Sequence, residues 1–316
     1  MAIIAALCLC CIFWLHKESP SHSPESLAID YLAREVPAWS KDNRCFSCHN
    51  NGDAARALFA AHRLSLSIPR RSLDDTLCWL GKPGDWDDDG GEKRYSGKAL
   101  ARVQFSSAML EAMDAGLIEN GDLVRKAADL VAQLQEKDGF WKVDAEGAVG
   151  SPVTYGRVLA TVRAVGVLRR ADPERQKKAI DRADGWLLAQ KPSSVLDAAA
   201  LLLALDDLRG DASIELRKKC LQLVRQGQSK DGGWGPFVNS ASEPFDTALV
   251  LLALTRQAQT PDVRKLLEAG RDFLIANQEK DGSWKETTRP RGAESYAQRL
   301  STTGWATLAL LATRSK

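Results

Sequence analysis

The sequence predicts an all-α protein, a single α/α toroid in which six helical hairpins set an inner ring of helices inside an outer ring. Three observations carry this. Nearly identical loops recur along the chain: "QEKDGFW" (Gln135–Trp141), "QSKDGGW" (Gln228–Trp234) and "QEKDGSW" (Gln278–Trp284). Each follows an amphipathic segment and precedes an Ala/Leu-rich one, so helix, loop and helix form a unit of roughly 50 residues, a period typical of repeat architectures. No run of alternating β-branched residues reads as a strand; Ala-, Leu-, Arg- and Glu-rich runs alternate with Gly, Pro, Asp and Ser clusters.

The elements follow in order. Degenerate loops complete the set: "LAREVPAWSKDNRCFSCHNNG" (32–52), "LGKPGDW" (80–86), which keeps Gly84 and Trp86, and "LLAQKPSSV" (187–195), which keeps Gln190. The first helix of each hairpin is expected near 25–37, 72–80, 120–136, 174–190, 212–228 and 262–278, and the second near 53–66, 98–116, 153–170, 193–207, 245–258 and 294–313. The first set carries Lys, Arg and Glu on one face ("PERQKKAIDRADGWLLAQ") and belongs outside. The second set, such as "LDAAALLLALDDL", is apolar nearly all round and belongs inside another layer. No polar capping unit is visible, so the ring is expected to close on itself. The 316 residues, 44% hydrophobic, can bury one large core or two modest ones. A net charge of +2 with interspersed signs offers no basic face for nucleic acid.

Residues 1–23 stand apart. Ala2 to Leu15 is apolar ("AIIAALCLCCIFWL"), short of the about 20 residues of a membrane span and closer to the h-region of a secretion signal. We expect a signal peptide or membrane anchor followed by a toroid over 24–316, in an exported protein that is periplasmic or membrane-anchored. Cys78 and Cys220 stand alone in helical contexts and read as buried small apolar residues.

The Q-x-x-D-G-x-W loops resemble the QW motif of squalene-hopene cyclases, and over residues 24–316 the chain resembles the terpenoid cyclase/protein prenyltransferase α/α-toroid superfamily. Gln135, Trp141, Gln228, Trp234, Gln278, Trp284 and the degenerate Trp86 are then structural: the D-G step turns the chain, the Trp covers the seam between hairpins, and the Gln amide bonds loose backbone at helix ends. The resemblance places a pocket at the N-terminal halves of the inner helices. It also implies a D-x-D-D-T-A acid motif there, whose middle Asp protonates an alkene or epoxide. "EPFDTA" (243–248) matches at Asp246, Thr247 and Ala248 but has Phe245 at the proton-donating position. Glu243 and Asp246 remain the candidate catalytic acid/base pair. The literal D-x-D-D in "GDWDDDGG" (Asp85, Asp87, Asp88) lies on a degenerate loop and reads as a solvated acidic turn. Of the zinc ligands of prenyltransferases only Asp246 has a counterpart, and the last inner helix contains no His, which excludes protein prenylation. Tyr155, Asp197, Glu294, Tyr296 and Arg299 also fall at inner-helix starts, as caps, interlayer bonds or ligand contacts.

One further motif belongs to none of this. Within "RCFSCHNNG" (44–52), Cys45, Cys48 and His49 form C-x-x-C-H, the pattern that attaches c-type haem through two thioethers with the His on iron. Three readings stand side by side: haem c with His49 as axial ligand; a Cys/Cys/His metal half-site completed by Asp42 or Cys78; and a Cys45–Cys48 disulfide. His62 lies too far along the same helix to face His49 across one iron, since a helix rises 1.5 Å per residue. His22 in the leader could supply the second ligand, or the iron could be five-coordinate. The function classes are accordingly a redox or hydrophobic-ligand-binding module whose ligand would be an isoprenoid or similar molecule, with a redox partner if haem is attached; a divergent cyclase-like enzyme; and a non-catalytic scaffold.

Overall fold

The computed structural model describes residues 23–90, 97–143, 149–289, 292 and 294–314. Among them the chain forms twelve α-helices and no strand. The outer set is α1 (Pro24–Asn43), α3 (Asp74–Leu80), α5 (Gly121–Ala132), α7 (Lys177–Leu188), α9 (Asp211–Gly227) and α11 (Pro261–Ala276). The inner set is α2 (Ala55–Arg63), α4 (Lys98–Asp114), α6 (Gly156–Ala171), α8 (Val195–Ala204), α10 (Pro244–Leu254) and α12 (Tyr296–Ala312). Each inner helix packs on the next, and α12 returns to α2, closing the ring as expected. Starts are capped locally: Ser194 Oγ accepts from Asp197 N at α8, and Thr260 Oγ1 from Val263 N at α11, where Pro261 follows with φ already helical. The expected leader, with Cys8, Cys10, Cys11 and His22, lies outside the described residues. No described helix is long and apolar enough to cross a membrane.

The three intact loops use one construction. Each Gln amide donates twice. One bond goes to the Gly carbonyl of its own loop (Gln135 to Gly139, 3.0 Å; Gln228 to Gly232, 2.9 Å; Gln278 to Gly282, 3.0 Å). The other goes to a carbonyl on the next outer helix (Ala179 on α7, 2.8 Å; Leu266 on α11, 3.4 Å; Pro24 on α1, 2.9 Å). The third of these joins the last loop to the first helix. The loop glycines have φ of +99°, +88° and +94°, and a Cβ on Gly282 would stand 2.1 Å from the Leu27 carbonyl oxygen, so this seam requires glycine twice over. Each Trp is buried and donates its indole N–H to a carbonyl ten residues back (Val131, Val224, Leu274). Its backbone N–H donates to a Thr hydroxyl on the following inner helix (Thr161, Thr247, Thr303). Those threonines are the third member of each staple; Thr161 and Thr303, unlike Thr247 of the EPFDTA stretch, carry no sequence signature. Trp86 is equally buried, with its indole bonded to Trp79 O only seven residues back, as suits a shortened hairpin.

Most boundaries fall within about four residues of expectation, and two in the first hairpin differ more. Helix α1 continues six residues past Pro37 and ends where Arg44 turns left-handed (φ 55°), returning its N–H to Ser40 O. The extension carries Trp39, which stacks on Tyr296 of α12 at 5.5 Å. The first inner helix begins earlier than expected, with a π-helical segment Cys48–Ala54 running directly into α2. The wide turn is held by side chains: Asn51 Oδ1 accepts from Ser47 N (3.2 Å) and its amide donates to Thr76 Oγ1 (2.8 Å). Cys220 is buried as expected, whereas Cys78 is exposed on α3, because only alternate faces of that short helix meet the core.

Candidate functional site

The pentad sits at the N-terminal end of the inner ring. Cys45, Cys48 and His49 together line a cavity of about 650 Å³ whose other walls include Trp39 and Phe46 and, from α12, Tyr296. Both thiols are free. Trp39 Nε1 lies 3.1 Å from Cys45 Sγ. Phe46 stacks on Trp79 at 4.4 Å, and its N–H donates to Asp89 O (2.9 Å), seating the loop on the Asp85–Gly90 turn. Gly90 (φ +84°) lies against Arg44 and Cys45, where a Cβ would meet the Arg44 carbonyl at 2.6 Å. His49 Nδ1 shares a hydrogen bond with Ser301 Oγ (3.0 Å), which fixes the ring and leaves Nε2 as its other nitrogen. Burial holds the imidazole pKa below its ordinary value, partly opposed by Asp53, so the ring is neutral near pH 7. Burial also pushes the Cys48 thiol well up, with Asp53 and Asp89 adding to it; this suits a neutral thiol or thioether and disfavours a metal thiolate. Among the described residues no three His, Cys, Asp or Glu side chains converge to hold a metal, so the fold does not bring Asp42 or Cys78 to complete a half-site. His62 is exposed at the far end of α2.

Directly below lies a buried hub that the sequence reading missed. Asp53 is 1% exposed and accepts from Tyr155 Oη, Gln104 Nε2 (2.7 Å) and Trp305 Nε1 (3.2 Å), with Arg56 Nη1 at 3.4 Å. Arg56 lies over the Trp305 ring at 4.6 Å, and Phe245 meets that ring edge-on at 5.8 Å. Tyr155 adopts φ +59°, a strained value for a non-glycine residue. Its phenol pKa is raised well above normal by burial and by Asp53, so it donates rather than ionises. Thus Phe245, at the position of the expected acid, belongs to the aromatic packing at the centre of the ring.

Glu243 and Asp246 are brought together by Arg289, 2.5 Å from Glu243 and 2.8 Å from Asp246. Arg289 also donates to Gly150 O (3.1 Å). Asp246 is fully buried with Oδ2 unpartnered. One arginine serves two carboxylates here; burial, against the pull of Arg289 and with Glu243 adding to it, raises the Asp246 pKa to about 7. Neither carboxylate lines the pentad cavity. Of the other polar residues, Arg299 pairs with Glu286 (3.0 Å), and Tyr296 Oη receives the Asn50 amide (3.1 Å) and donates to Glu35 (3.1 Å). Asp197, its pKa raised by burial, serves the first turn of α8. In the acidic turn, Asp87 pairs with Arg102 and Asp85 and Asp88 face solvent, a structural role.

No protein-family model matches the chain. Among curated proteins it is similar to drimenyl diphosphate synthase of Streptomyces showdoensis, 24% identical over 214 residues, which cover 62% of this chain and 38% of that protein. Among solved structures, a variant of the type II terpene cyclase MstE from Scytonema, in complex with its substrate geranylgeranyl dihydroxybenzoate, matches with TM-score 0.61 at 12% identity over 92% of this chain and 97% of that one. The ent-copalyl diphosphate synthase from Streptomyces platensis matches with TM-score 0.52 at 19% identity, over 83% of this chain and 50% of that one. These neighbours share one fold with this chain, the terpenoid-cyclase-like α/α toroid.

Proposed function

We propose that this terpenoid-cyclase-like toroid is an exported binding or redox module that carries a c-type haem on Cys45 and Cys48, with His49 as an axial ligand. One observation carries the reading: both free thiols and the His49 ring line a single cavity of about 650 Å³. The donor set fits the group. Each S–H would add across a vinyl group to leave an uncharged thioether, a redox-neutral step compatible with the apolar setting of Cys48. Ser301 would hold His49 in the tautomer that presents Nε2. Trp39, Phe46 and Tyr296 would supply flat walls that exclude water. When bound, the haem would supply one-electron redox chemistry. The cavity residues described include no second His and no Met. The MstE relative binds a geranylgeranyl compound, and an isoprenoid-like hydrophobe is the corresponding ligand class here. Residues 1–23 would direct export, and electrons would pass to or from a separate redox partner.

The test is a reduced-pyridine spectrum of the protein exported from a host that matures c-type cytochromes, beside Cys48→Ser. Haem that survives denaturation in the parent and is lost or altered in the variant is the expected result. A parent protein without covalent haem would overturn the reading and leave a Cys45–Cys48 dithiol or disulfide on a scaffold. A second reading, a divergent cyclase, draws on the raised pKa of Asp246 as a proton donor with Glu243 beside it. It requires cyclisation of a polyprene by the parent or by Phe245→Asp, and fails if neither gives product.

A further inference from the structure

At the opposite end of the ring, where the inner helices finish, a second cavity of about 640 Å³ is lined by Arg56, Arg63, Arg163, Arg256 and Arg314, with Glu111 as its one acidic wall residue among those described. Helix C-termini carry partial negative charge, and arginines near them often only cap carbonyls. Arg256 does so in part, donating to Leu203 O at 3.0 Å. Capping does not account for Arg163. It stands in the middle of α6, and its one hydrogen bond among the described residues runs from Nε to Ser107 Oγ at 3.3 Å. Carboxylates reach Arg56 (Asp53, 3.4 Å) and Arg63 (Glu111, 3.9 Å; Asp114, 3.8 Å). None lies within ion-pair distance of Arg163, Arg256 or Arg314 among the described residues. Arg56 is 2% exposed with its Nε unpartnered, so the enclosed side of the cavity holds unspent donor capacity as well as charge. Burial and the nearby Arg56 lower the Arg163 pKa to about 10, which leaves it charged at neutral pH. Clustered like charges are unfavourable, most so on the buried side of the cavity, unless an anion joins them.

The anion has further constraints. Three guanidinium groups without carboxylates exceed what one carboxylate can neutralise, while a phosphate offers two charges and several acceptors to planar donors. The remaining wall is apolar, formed by Trp305 and leucines of α8, α10 and α12. We propose that this cavity binds a phosphate-bearing amphiphile, the phosphate among Arg163, Arg256 and Arg314 and the chain along the leucine wall. The proposal is independent of the pentad, which lies at the other end of the ring.

Calorimetric titration of the full chain with dodecyl phosphate below its micelle concentration, inorganic phosphate and dodecanoate tests it. Expected are saturable one-to-one binding of dodecyl phosphate, at least tenfold weaker binding of the other two, and at least tenfold loss in Arg163→Gln and in Arg256→Gln. Arg256 and Arg314 are exposed, so Arg256→Gln and Arg314→Gln keep the test intact if Arg163→Gln fails to fold, as a thermal melt would reveal. Absent saturation, or undiminished binding in the folded arginine variants, overturns the site. Equal affinity for inorganic phosphate overturns the amphiphile, and equal affinity for dodecanoate overturns the phosphate.

Discussion

Replacing Gln278 by Ala should open the ring where it closes. The Gln278 amide makes two half-buried hydrogen bonds, to Gly282 O (3.0 Å) and across the seam to Pro24 O (2.9 Å). A protein hydrogen bond contributes about 1 kcal/mol net, so the loss comes to about 2 kcal/mol, with water able to reach the vacated carbonyls and limit it. Gln190 is the internal control. It occupies the same place in a degenerate loop, but among the described residues its amide bonds only Trp186 O one turn back on its own helix (2.8 Å). Gln190→Ala should therefore cost about 1 kcal/mol or less. On the scale of large single domains these translate into Tm decreases of roughly 4–8 °C and at most roughly 2–4 °C. Thermal melts followed by circular dichroism give the ranking, and amide exchange gives the location: α1 amides should exchange faster in Gln278→Ala and not in Gln190→Ala. Equal losses in the two variants, or unchanged α1 exchange, would refute the view that the loop glutamines act by clamping the next hairpin.

Three further outcomes are expected. Gly304→Ala forces a Cβ to 2.9 Å from Ala54 Cα and Asp53 O and should cost about 1–3 kcal/mol, whereas Gly166→Ala meets nothing within 4 Å and should gain about 0.5–1 kcal/mol from helix propensity; urea titration of both checks the sign reversal. Asp53→Ala strands the buried Arg56 charge and should destabilise by about 3–5 kcal/mol, measured the same way. Asp246 has a folded pKa raised to about 7 from an ordinary value near 3.8, so the native state binds more protons between them and stability falls as pH rises through that window. Asp246→Asn should flatten that part of the stability profile, and an unchanged slope would refute the assignment.

Much of this was legible in the sequence because the repeat is local. A Gln, a D-G turn and a Trp within seven residues report their own geometry, and the inner helices announce themselves by having no polar face. The hub was not legible. Asp53 is joined to Tyr155 and Trp305 across 102 and 252 residues, distances at which no spacing rule operates. A signal was present in "NGDAARALFAA": Asp53 and Arg56, one turn apart, are the only charges on an otherwise apolar inner segment, a pattern for a buried pair. The extension of α1 past Pro37 escaped notice because a proline forfeits one hydrogen bond, and the stacking of Trp39 on Tyr296, which favours continuing, comes from the other end of the chain.

That arrangement has a consequence for the order in which the molecule is assembled. The pentad is made within the first fifty residues, but the wall that encloses it, Ser295 to Ala297, and the hydroxyl that orients His49, Ser301, belong to the last helix. Synthesis runs from the N-terminus, so until α12 docks the two thiols face an unfinished ring. Any chemistry on Cys45 and Cys48 that needs access has the whole interval of chain growth in which to occur. The helix that seals the toroid narrows that access to the cavity mouth, so ring closure bounds the interval in which any such chemistry would meet an open site.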